Sequence, residues 1–406
     1  MASASNDSKF YRLASEVPGL LATADQIELF QAGAILLHDQ GRVDDVVAAS
    51  STPFGLEKHE LFWVALRPYL LDLGYEISSR YSPGWRYTGP AVADVFPPSI
   101  RDGLQASPAE RAVYAQIPDA KPLSSLAFRT VQAVRLSTHE HVVIKILCTR
   151  PGRPEAGELA LLQFLNAEPQ RSRPDNVCVP LLDVLELPSI PSCPKLASDF
   201  RIVVMPELQP VYDSIPTCTI RAYPLHLLRQ ALDGLAFLHS LGIAHRDIVA
   251  DHIMTTPGGP PHKVYFIDFG LATRHEDLSA KVGWVGGQLP PPEILYCEPK
   301  DAYNPFMADV YNLGLVLSML FDVDYPRTGT LYQLGKHMRV LEPKKRCTAE
   351  EAATALRAYV KRMRLKKYFV YKIPYSKQSR FLTGSRYIHE ACRYTIHGTA
   401  SRNGSS

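Results

Sequence analysis

Apolar and polar residues recur with two different periods along the chain, and these periods predict where helices and strands lie. Near the start, TADQIELFQAGAILLH has apolar residues at helical spacing after a capping-box pattern formed by Thr23 and Gln26. EKHELFWVALRPYLLDLGYEI continues the helical pattern, and we expect a second helical segment there. The prolines and glycines that follow predict a turn-rich connection. Residues 1–104 are therefore interpreted as a partly helical N-terminal extension.

The pattern then changes to that of a sheet. FRTVQAVRLSTHEHVVIKIL alternates and is rich in β-branched residues, which predicts a hairpin with a turn at 137–140 and a strand over 142–147. EAGELALLQFLNAE predicts a short amphipathic helix, and DFRIVVMPEL predicts another strand. We expect a small β-rich lobe over residues 105–208.

Helical spacing dominates the next part of the chain. PLHLLRQALDGLAFLHSLG is predicted to be a helix, and Gly242 is suited to end it in a left-handed conformation. Its leucines share one face: Leu225, Leu228, Leu232, Leu235 and Leu238. Thr348 and Glu351 form a capping box that opens a helix ending near Leu365. We expect residues 209–365 to be a mostly helical lobe, so the predicted class is α+β.

Composition agrees with a globular chain and disfavours membrane or secreted classes. The 406 residues are 46% hydrophobic and 21% charged. The first residues lack an apolar segment, and the longest apolar run, YNLGLVLSMLF, is about half of the roughly 20 residues that a spanning helix needs. The 7 cysteines are scattered, without a C-x-x-C pair. We therefore expect reduced thiols and an intracellular protein, cytoplasmic or nuclear, without a transmembrane segment.

The C-terminal tail, residues 366–406, differs in charge from the rest. From Lys361 onward there are 11 Lys or Arg and a single acid, Glu390, although the net charge of the chain is only +3. Basic residues alternate with aromatic ones in KKYFVYKIPYSKQSRF. This composition suits nucleic acid, an anionic surface or an acidic partner. More often, a tail of this composition is a basic segment packed on its own negatively charged domain or exposed to solvent.

Three charged side chains occur in the order that phosphoryl transfer from ATP requires. Lys145 in VVIK would contact phosphates if a carboxylate oriented it, and Glu158 or Glu155 could do so. Asp247 in HRD is a candidate base for a substrate hydroxyl. Asp268 in DFG offers the oxygen ligand that Mg²⁺ prefers. These motifs together, rather than any one of them alone, indicate phosphoryl transfer.

The ordered series HRD, DFG, PPE, DVYNLG and Arg346 resembles a eukaryotic protein kinase domain over about residues 105–365. Longer stretches, such as FWVALRPYLLDLGYEISSRYSPGW, resemble kinase-like proteins of mushroom-forming fungi. The resemblance implies a bilobal fold, with ATP and Mg²⁺ as cofactors. It implies that Lys145 pairs with Glu158, that Asp247 is the base and that Asp268 binds metal. It also implies an ion pair between Glu293 of PPE and Arg346.

The resemblance assigns further residues. It places the hinge that contacts adenine at MPEL, with Met205 as gatekeeper. The implied nucleotide-binding set is Lys145, Met205, Glu207, Leu208 and Met254. A phosphate on Thr273 or Ser279 would be able to pair with Arg246, and the alternative is that both are solvated loop residues.

The sequence departs from the kinase pattern at several points. No glycine lies between Asp119 and His141, so the phosphate-covering Gly-rich loop is degenerate. Val249 replaces a lysine, and His252 replaces the asparagine that ligates a second metal. Because imidazole suits Mn²⁺ better than Mg²⁺, Mn²⁺ is a possible substitute cofactor.

Three functions stay open at this level. The first is a protein kinase, Ser/Thr-directed, with reduced activity. The second is a pseudokinase that acts as a scaffold, with or without bound nucleotide. The third is a phosphotransferase acting on small molecules.

Overall fold

A computed structural model describes residues 24–50, 56, 60–86, 129–191, 194–214, 222–258, 261–295, 302–321 and 329–365. The chain forms two compact units. One holds the described part of 1–140 and 190–193, and the other holds the described part of 141–189 and 194–374. The fold class is α+β, as predicted. No helix within the described ranges combines the length and apolar character needed to cross a membrane.

The first unit is helical, with a short antiparallel strand pair. Its elements are α1 (Ala24–Asp39), α2 (Val43–Ser50), α3 (Leu61–Asp72), β1 (Tyr75–Ile77) and β2 (Thr130–Arg135). Helices α1 and α3 approach closely at Gly33, where an added Cβ would lie 2.7 Å from the Cα of Phe62. Only glycine permits this approach. Helix α1 confirms the first predicted helix, while Thr23 and its cap lie outside the described residues.

The second predicted helical segment is partly wrong. The helix ends at Asp72, Gly74 has φ +85°, and Tyr75–Ile77 forms β1, which pairs with β2. Burial explains the change: Tyr75 and Ile77 are buried while Glu76 is exposed, which is the period of a strand. Pairing with β2, distant in sequence, therefore overrides the helical pattern.

The second unit begins with three antiparallel strands. These are β3 (Glu140–Cys148), β4 (Asp183–Glu186) and β5 (Phe200–Pro206), with β5 pairing to both others. Val142, Ile144 and Ile146 of β3 are all fully buried. Lys145 stands between them in sequence and therefore projects from the opposite face of the sheet. The predicted strand at 142–147 is confirmed.

Helices make up most of the remaining unit. Its further elements, in chain order, are α4 (Glu158–Asn166), α5 (Lys195–Asp199), β6 (Gln209–Pro210), α6 (Ala222–Ser240), β7 (Ile243–Ala244), β8 (Ile253–Thr255), β9 (Val264–Phe266), β10 (Thr273–Arg274), α7 (Pro292–Leu295), α8 (Pro305–Phe321), α9 (Thr330–Met338) and α10 (Ala349–Leu365). Helix α4 lies between β3 and β5 in sequence and follows a 3-10 turn, Pro154–Gly157. Together with the sheet, this agrees with a bilobal kinase-like fold.

Local sequence signals for these helices are confirmed. All five leucines on the predicted apolar face of α6 are at most 5% exposed. Gly242 follows with φ +72°, and an added Cβ would lie 2.0 Å from the carbonyl oxygen of His275. Thr348 and Glu351 exchange hydrogen bonds of 2.8 and 3.2 Å before α10. The predicted domain boundaries stay predictions, and the basic tail lies outside the described residues.

Candidate active site

Lys145 and Glu158 form an ion pair between the sheet and α4. The Lys145 Nζ donates to Glu158 Oε1 at 2.7 Å and to Asp268 Oδ1 at 2.9 Å. Glu158 is the first residue of α4 and is 3% exposed. Of the two glutamates considered from sequence, the structure thus joins Glu158 to the lysine. The connection between β3 and α4 is short. It still allows Glu158 to reach Lys145, because the 3-10 turn Pro154–Gly157 leads directly into α4.

Burial and charge oppose each other at Lys145. Burial acts to lower the pKa of the ammonium, but the carboxylates of Asp268 and Glu158 outweigh it and raise the pKa above its ordinary value. Conversely, the Lys145 charge holds the pKa of Asp268 well below its usual range. Lys145 and Asp268 therefore both carry their charge at neutral pH.

Asp268 occupies a strained position. Its backbone is left-handed, with φ +61° and ψ +69°, which is uncommon for a residue other than glycine. The next residue, Phe269, is fully buried, and its ring centroid lies 4.8 Å from that of His245. At Gly270 an added Cβ would lie 3.4 Å from Glu158 Oε2, so this turn runs close to the ion pair. The buried Phe269 fixes the turn that directs Asp268 to Lys145.

The HRD loop is held by a buried carboxylate. Asp309 of α8 is 0% exposed and accepts backbone N–H bonds from His245 and Arg246, both at 2.7 Å. Its Oδ2 is also 3.1 Å from Nε2 of His239. Arg246 has φ +68°, and these bonds stabilise that unusual backbone conformation. Asp309 thus supports the loop that carries Asp247.

Asp247 and His252 lie next to each other at the end of this loop. His252 Nδ1 is 2.8 Å from the Asp247 carbonyl oxygen and 3.5 Å from its Oδ2. Asp247 Oδ1 accepts the backbone N–H of Gln288 at 2.8 Å. The Gln288 side-chain nitrogen lies 3.2 Å from His252 Nε2. The loop thus contacts a residue more than thirty positions away.

Asp247, His252 and Asp268 together present a set of metal ligands. One ligand atom from each lies within 4.8 Å of the others, and His252 Nε2 is 3.7 Å from Asp268 Oδ2. Two carboxylates and one imidazole form a donor set that fits a divalent cation, more readily Mn²⁺ than Mg²⁺. The two predicted metal ligands are therefore brought together, with Asp247 as a neighbour.

Three of the predicted nucleotide-binding residues, Met205, Glu207 and Leu208, lie at or just beyond the end of β5. Met205 is 8% exposed, and the Glu207 backbone N–H donates to the His141 carbonyl oxygen at 3.1 Å. Leu208 is partly buried against the core, and Met254 lies in β8 opposite Tyr265. Their part in nucleotide binding stays a prediction. Val249 is 3% exposed, so an apolar side chain occupies the position expected of lysine.

The ion pair implied by PPE is present. Arg346 donates to both carboxylate oxygens of Glu293 at 3.0 Å and also to the carbonyl oxygen of Met307 at 2.6 Å. The Arg346 side chain is 0% exposed and Glu293 is 10% exposed. This pair ties α7 to the segment before α10 and has a structural role.

Arg246 has partners other than a phosphate. Its Nε donates to the Tyr303 hydroxyl at 3.1 Å, and its Nη2 donates to the Gly283 carbonyl oxygen at 2.8 Å. Tyr303 also exchanges two backbone bonds of 2.9 Å with Val282. Ser279 instead donates to the Asp277 carboxylate at 2.7 Å. The described partners of Arg246 are thus a neutral hydroxyl and a neutral carbonyl group, while Ser279 is bonded to a carboxylate.

Comparison with known proteins agrees with this geometry. Residues 217–329 match the family model of the protein kinase domain. Serine/threonine-protein kinase CAK1 of Saccharomyces cerevisiae is 30% identical over 183 residues, 42% of this chain. Serine/threonine-protein kinase 10-A of Xenopus laevis is 32% identical over 103 residues, 25% of this chain. These matches support the protein kinase superfamily for the matched part of the chain.

These kinase relatives are matched only in part. The matching region spans 45% of the yeast protein and 10% of the frog protein. Calcium/calmodulin-dependent protein kinase type II of Caenorhabditis elegans is 35% identical over 103 residues, which is 14% of that protein. The similarity to fungal kinase-like proteins stays a prediction.

Sequence reasoning missed some residues of this candidate site. Gln288 and Tyr303 belong to no motif recognised above, and each contacts the HRD loop only through the tertiary fold. Gly287 gives a partial signal: its φ is +123°, and an added Cβ would lie 3.4 Å from Asp247 Oδ1. The paired glycines before Gln288 indicate a close backbone approach, though not to which residue.

Proposed function

We propose that this protein is an ATP-dependent protein kinase that transfers the γ-phosphate to a protein hydroxyl, with Ser or Thr as acceptor. The observation that carries the proposal is the ion pair of Lys145 with Glu158 and Asp268. In protein kinases, the lysine–glutamate pair and the DFG aspartate must both be in place for transfer. The named serine/threonine kinase relatives support the choice of acceptor.

Each residue has a distinct task in this proposal. Asp268 and His252 would hold a divalent cation, which would supply positive charge to the phosphates of bound ATP. Lys145 binds phosphate oxygens and Glu158 keeps the ammonium oriented. Asp247 orients the acceptor hydroxyl through Oδ2, since Oδ1 already accepts the Gln288 N–H. As the hydroxyl oxygen bonds to phosphorus and the bond to the leaving ADP oxygen breaks, Oδ2 takes the hydroxyl proton.

The competing function is a pseudokinase scaffold. Val249 favours this function, because a buried apolar side chain cannot neutralise the negative charge that develops on the transferring phosphate. Removing one such stabilising donor typically costs about 10²- to 10³-fold in rate. Asp247, Asp268 and Lys145 are retained, and we therefore favour a slow kinase.

Calorimetric titration with ATP, with and without Mg²⁺ or Mn²⁺, tests the nucleotide site. We expect metal-dependent binding that Lys145→Ala and Asp268→Ala both weaken. Lys345→Ala is the matched control, because this lysine is 70% exposed and pairs with Glu342. An absence of ATP binding under every metal condition would overturn the proposal.

A transfer assay then separates the kinase from the scaffold. Labelled ATP is incubated with peptides containing Ser, Thr or Tyr, using the wild-type chain and Asp247→Asn. We expect Ser or Thr phosphorylation that Asp247→Asn reduces by about 10²-fold or more. Metal-dependent ATP binding without transfer would favour the scaffold, and transfer to metabolites alone would favour the third function.

A further inference from the structure

Gln288 contacts two polar groups of the site at once. Its backbone N–H donates to Asp247 Oδ1 at 2.8 Å, and its side-chain Nε2 lies 3.2 Å from His252 Nε2. The preceding Gly286 and Gly287 have φ +133° and +123°. These glycine conformations bring the backbone up to Asp247, so the side chain of Gln288 reaches the imidazole.

Hydrogen bonding determines which ring nitrogen of His252 carries the proton. Nδ1 lies 2.8 Å from the Asp247 carbonyl oxygen, which can only accept, so Nδ1 must donate. In the neutral ring, Nε2 then carries the lone pair. A backbone carbonyl that holds one ring nitrogen in this way is the usual partner of a metal-ligating histidine. Nε2 is therefore the atom that His252 offers to a cation beside Asp268, 3.7 Å away.

One lone pair serves one partner at a time. The Gln288 amide donates to Nε2 in the arrangement described above, and a cation would need the same lone pair. Gln288 is exposed, so its side chain has room to turn into solvent while its backbone bond to Asp247 remains. Metal binding at His252 thus competes with a single neutral hydrogen bond.

We propose that Gln288 competes with a divalent cation for Nε2 of His252 and thereby sets the affinity of His252 for that cation. This inference rests on the proposed metal site and adds a residue outside the recognised motifs. The Asp247 carbonyl oxygen holds the imidazole in the ligating tautomer, while the Gln288 amide occupies Nε2 and leaves when a nitrogen-seeking cation such as Mn²⁺ arrives. Mn²⁺ must displace this one neutral hydrogen bond in order to bind. Removal of the Gln288 amide should therefore tighten Mn²⁺ binding by about 2- to 10-fold.

Direct Mn²⁺ binding to the full-length chain tests this, by calorimetry and by the electron paramagnetic resonance signal of free Mn²⁺. Wild type, Gln288→Ala, His252→Ala and the double variant are compared without nucleotide. We expect Gln288→Ala to bind Mn²⁺ about 2- to 10-fold more tightly, and to have no effect in the His252→Ala background. Gln132→Ala, at an exposed glutamine of the first unit, is the control and should match wild type.

Other outcomes overturn the inference. Unchanged or weaker Mn²⁺ binding by Gln288→Ala would show that the amide does not compete for Nε2. If Gln288→Ala had the same effect in the His252→Ala background, Gln288 would act on a group other than His252. If no variant bound Mn²⁺, the proposed metal site would be wrong. Failure of the proposed kinase activity is a separate result, since it would leave Mn²⁺ binding present and phosphotransfer absent.

Discussion

Glu158 Oε1 lies 2.7 Å from the ammonium of Lys145, and the start of α4 is thereby tied to the sheet. We predict that Glu158→Gln lowers the rate of phosphotransfer by about 10- to 100-fold, as is typical when a group that orients a catalytic residue is lost. The turnover number at saturating ATP measures this. Glu155→Gln is the matched control, and equal losses in both variants would contradict the assignment.

The segment after DFG should not need phosphorylation. Arg246 already donates to the Tyr303 hydroxyl and the Gly283 carbonyl oxygen, and a phosphate on Ser279 would lie beside the Asp277 carboxylate. We predict unchanged phosphotransfer in Ser279→Ala and after phosphatase treatment. Phosphotransfer rates before and after treatment test this, and a large drop in either case would restore the phosphate hypothesis.

Loss of the Tyr303 hydroxyl should weaken the same segment. Arg246 is 7% exposed, so Tyr303→Phe removes a hydrogen bond from a buried charged donor. We expect the free energy of unfolding to fall by about 1.5–3 kcal/mol. Chemical denaturation measures it, with Tyr212→Phe as the control because that hydroxyl bonds the exposed Asp251. Equal effects in the two variants would contradict a special role for Tyr303.

Arg346 and Glu293 should be important for stability. Because Arg346 is buried and the Glu293 side chain is only 10% exposed, Arg346→Ala leaves a largely buried carboxylate without this partner, and we expect a loss of about 3–5 kcal/mol in the free energy of unfolding. The neighbouring Lys345→Ala removes an exposed pair and should leave stability unchanged within error. Denaturant titration of both variants tests this, and similar stabilities would show that the buried pair contributes little.

Gly242 should tolerate no side chain. Alanine there would need a left-handed backbone, which costs about 1–2 kcal/mol, and its Cβ would also collide with the His275 carbonyl oxygen. We expect Gly242→Ala to lower the free energy of unfolding by at least that amount. Gly157→Ala is the control, since its φ is −82° and nothing lies within 4 Å of the added Cβ. A melting temperature equal to wild type for Gly242→Ala would refute this.

The sequence by itself determined the local elements and the order of the chemical groups. The leucine face of α6, the capping box at Thr348 and the strand carrying Lys145 follow from periods and short-range hydrogen bonds. The resemblance of HRD and DFG to kinase motifs also pointed to Asp247 and Asp268, and their catalytic roles stay predictions. The helix face, the capping box and the strand depend on residues a few positions apart, so the linear sequence is enough to predict them.

Tertiary structure decided which distant groups meet. It selected Glu158 over Glu155, converted Tyr75–Ile77 from a predicted helix end into a strand, and brought Gln288 to Asp247 and His252. Each result depends on contacts between segments separated by many residues, and neither propensity nor spacing encodes such distances. The paired glycines at 286 and 287 permit a close approach, but only packing against Asp247 determined where that approach occurs.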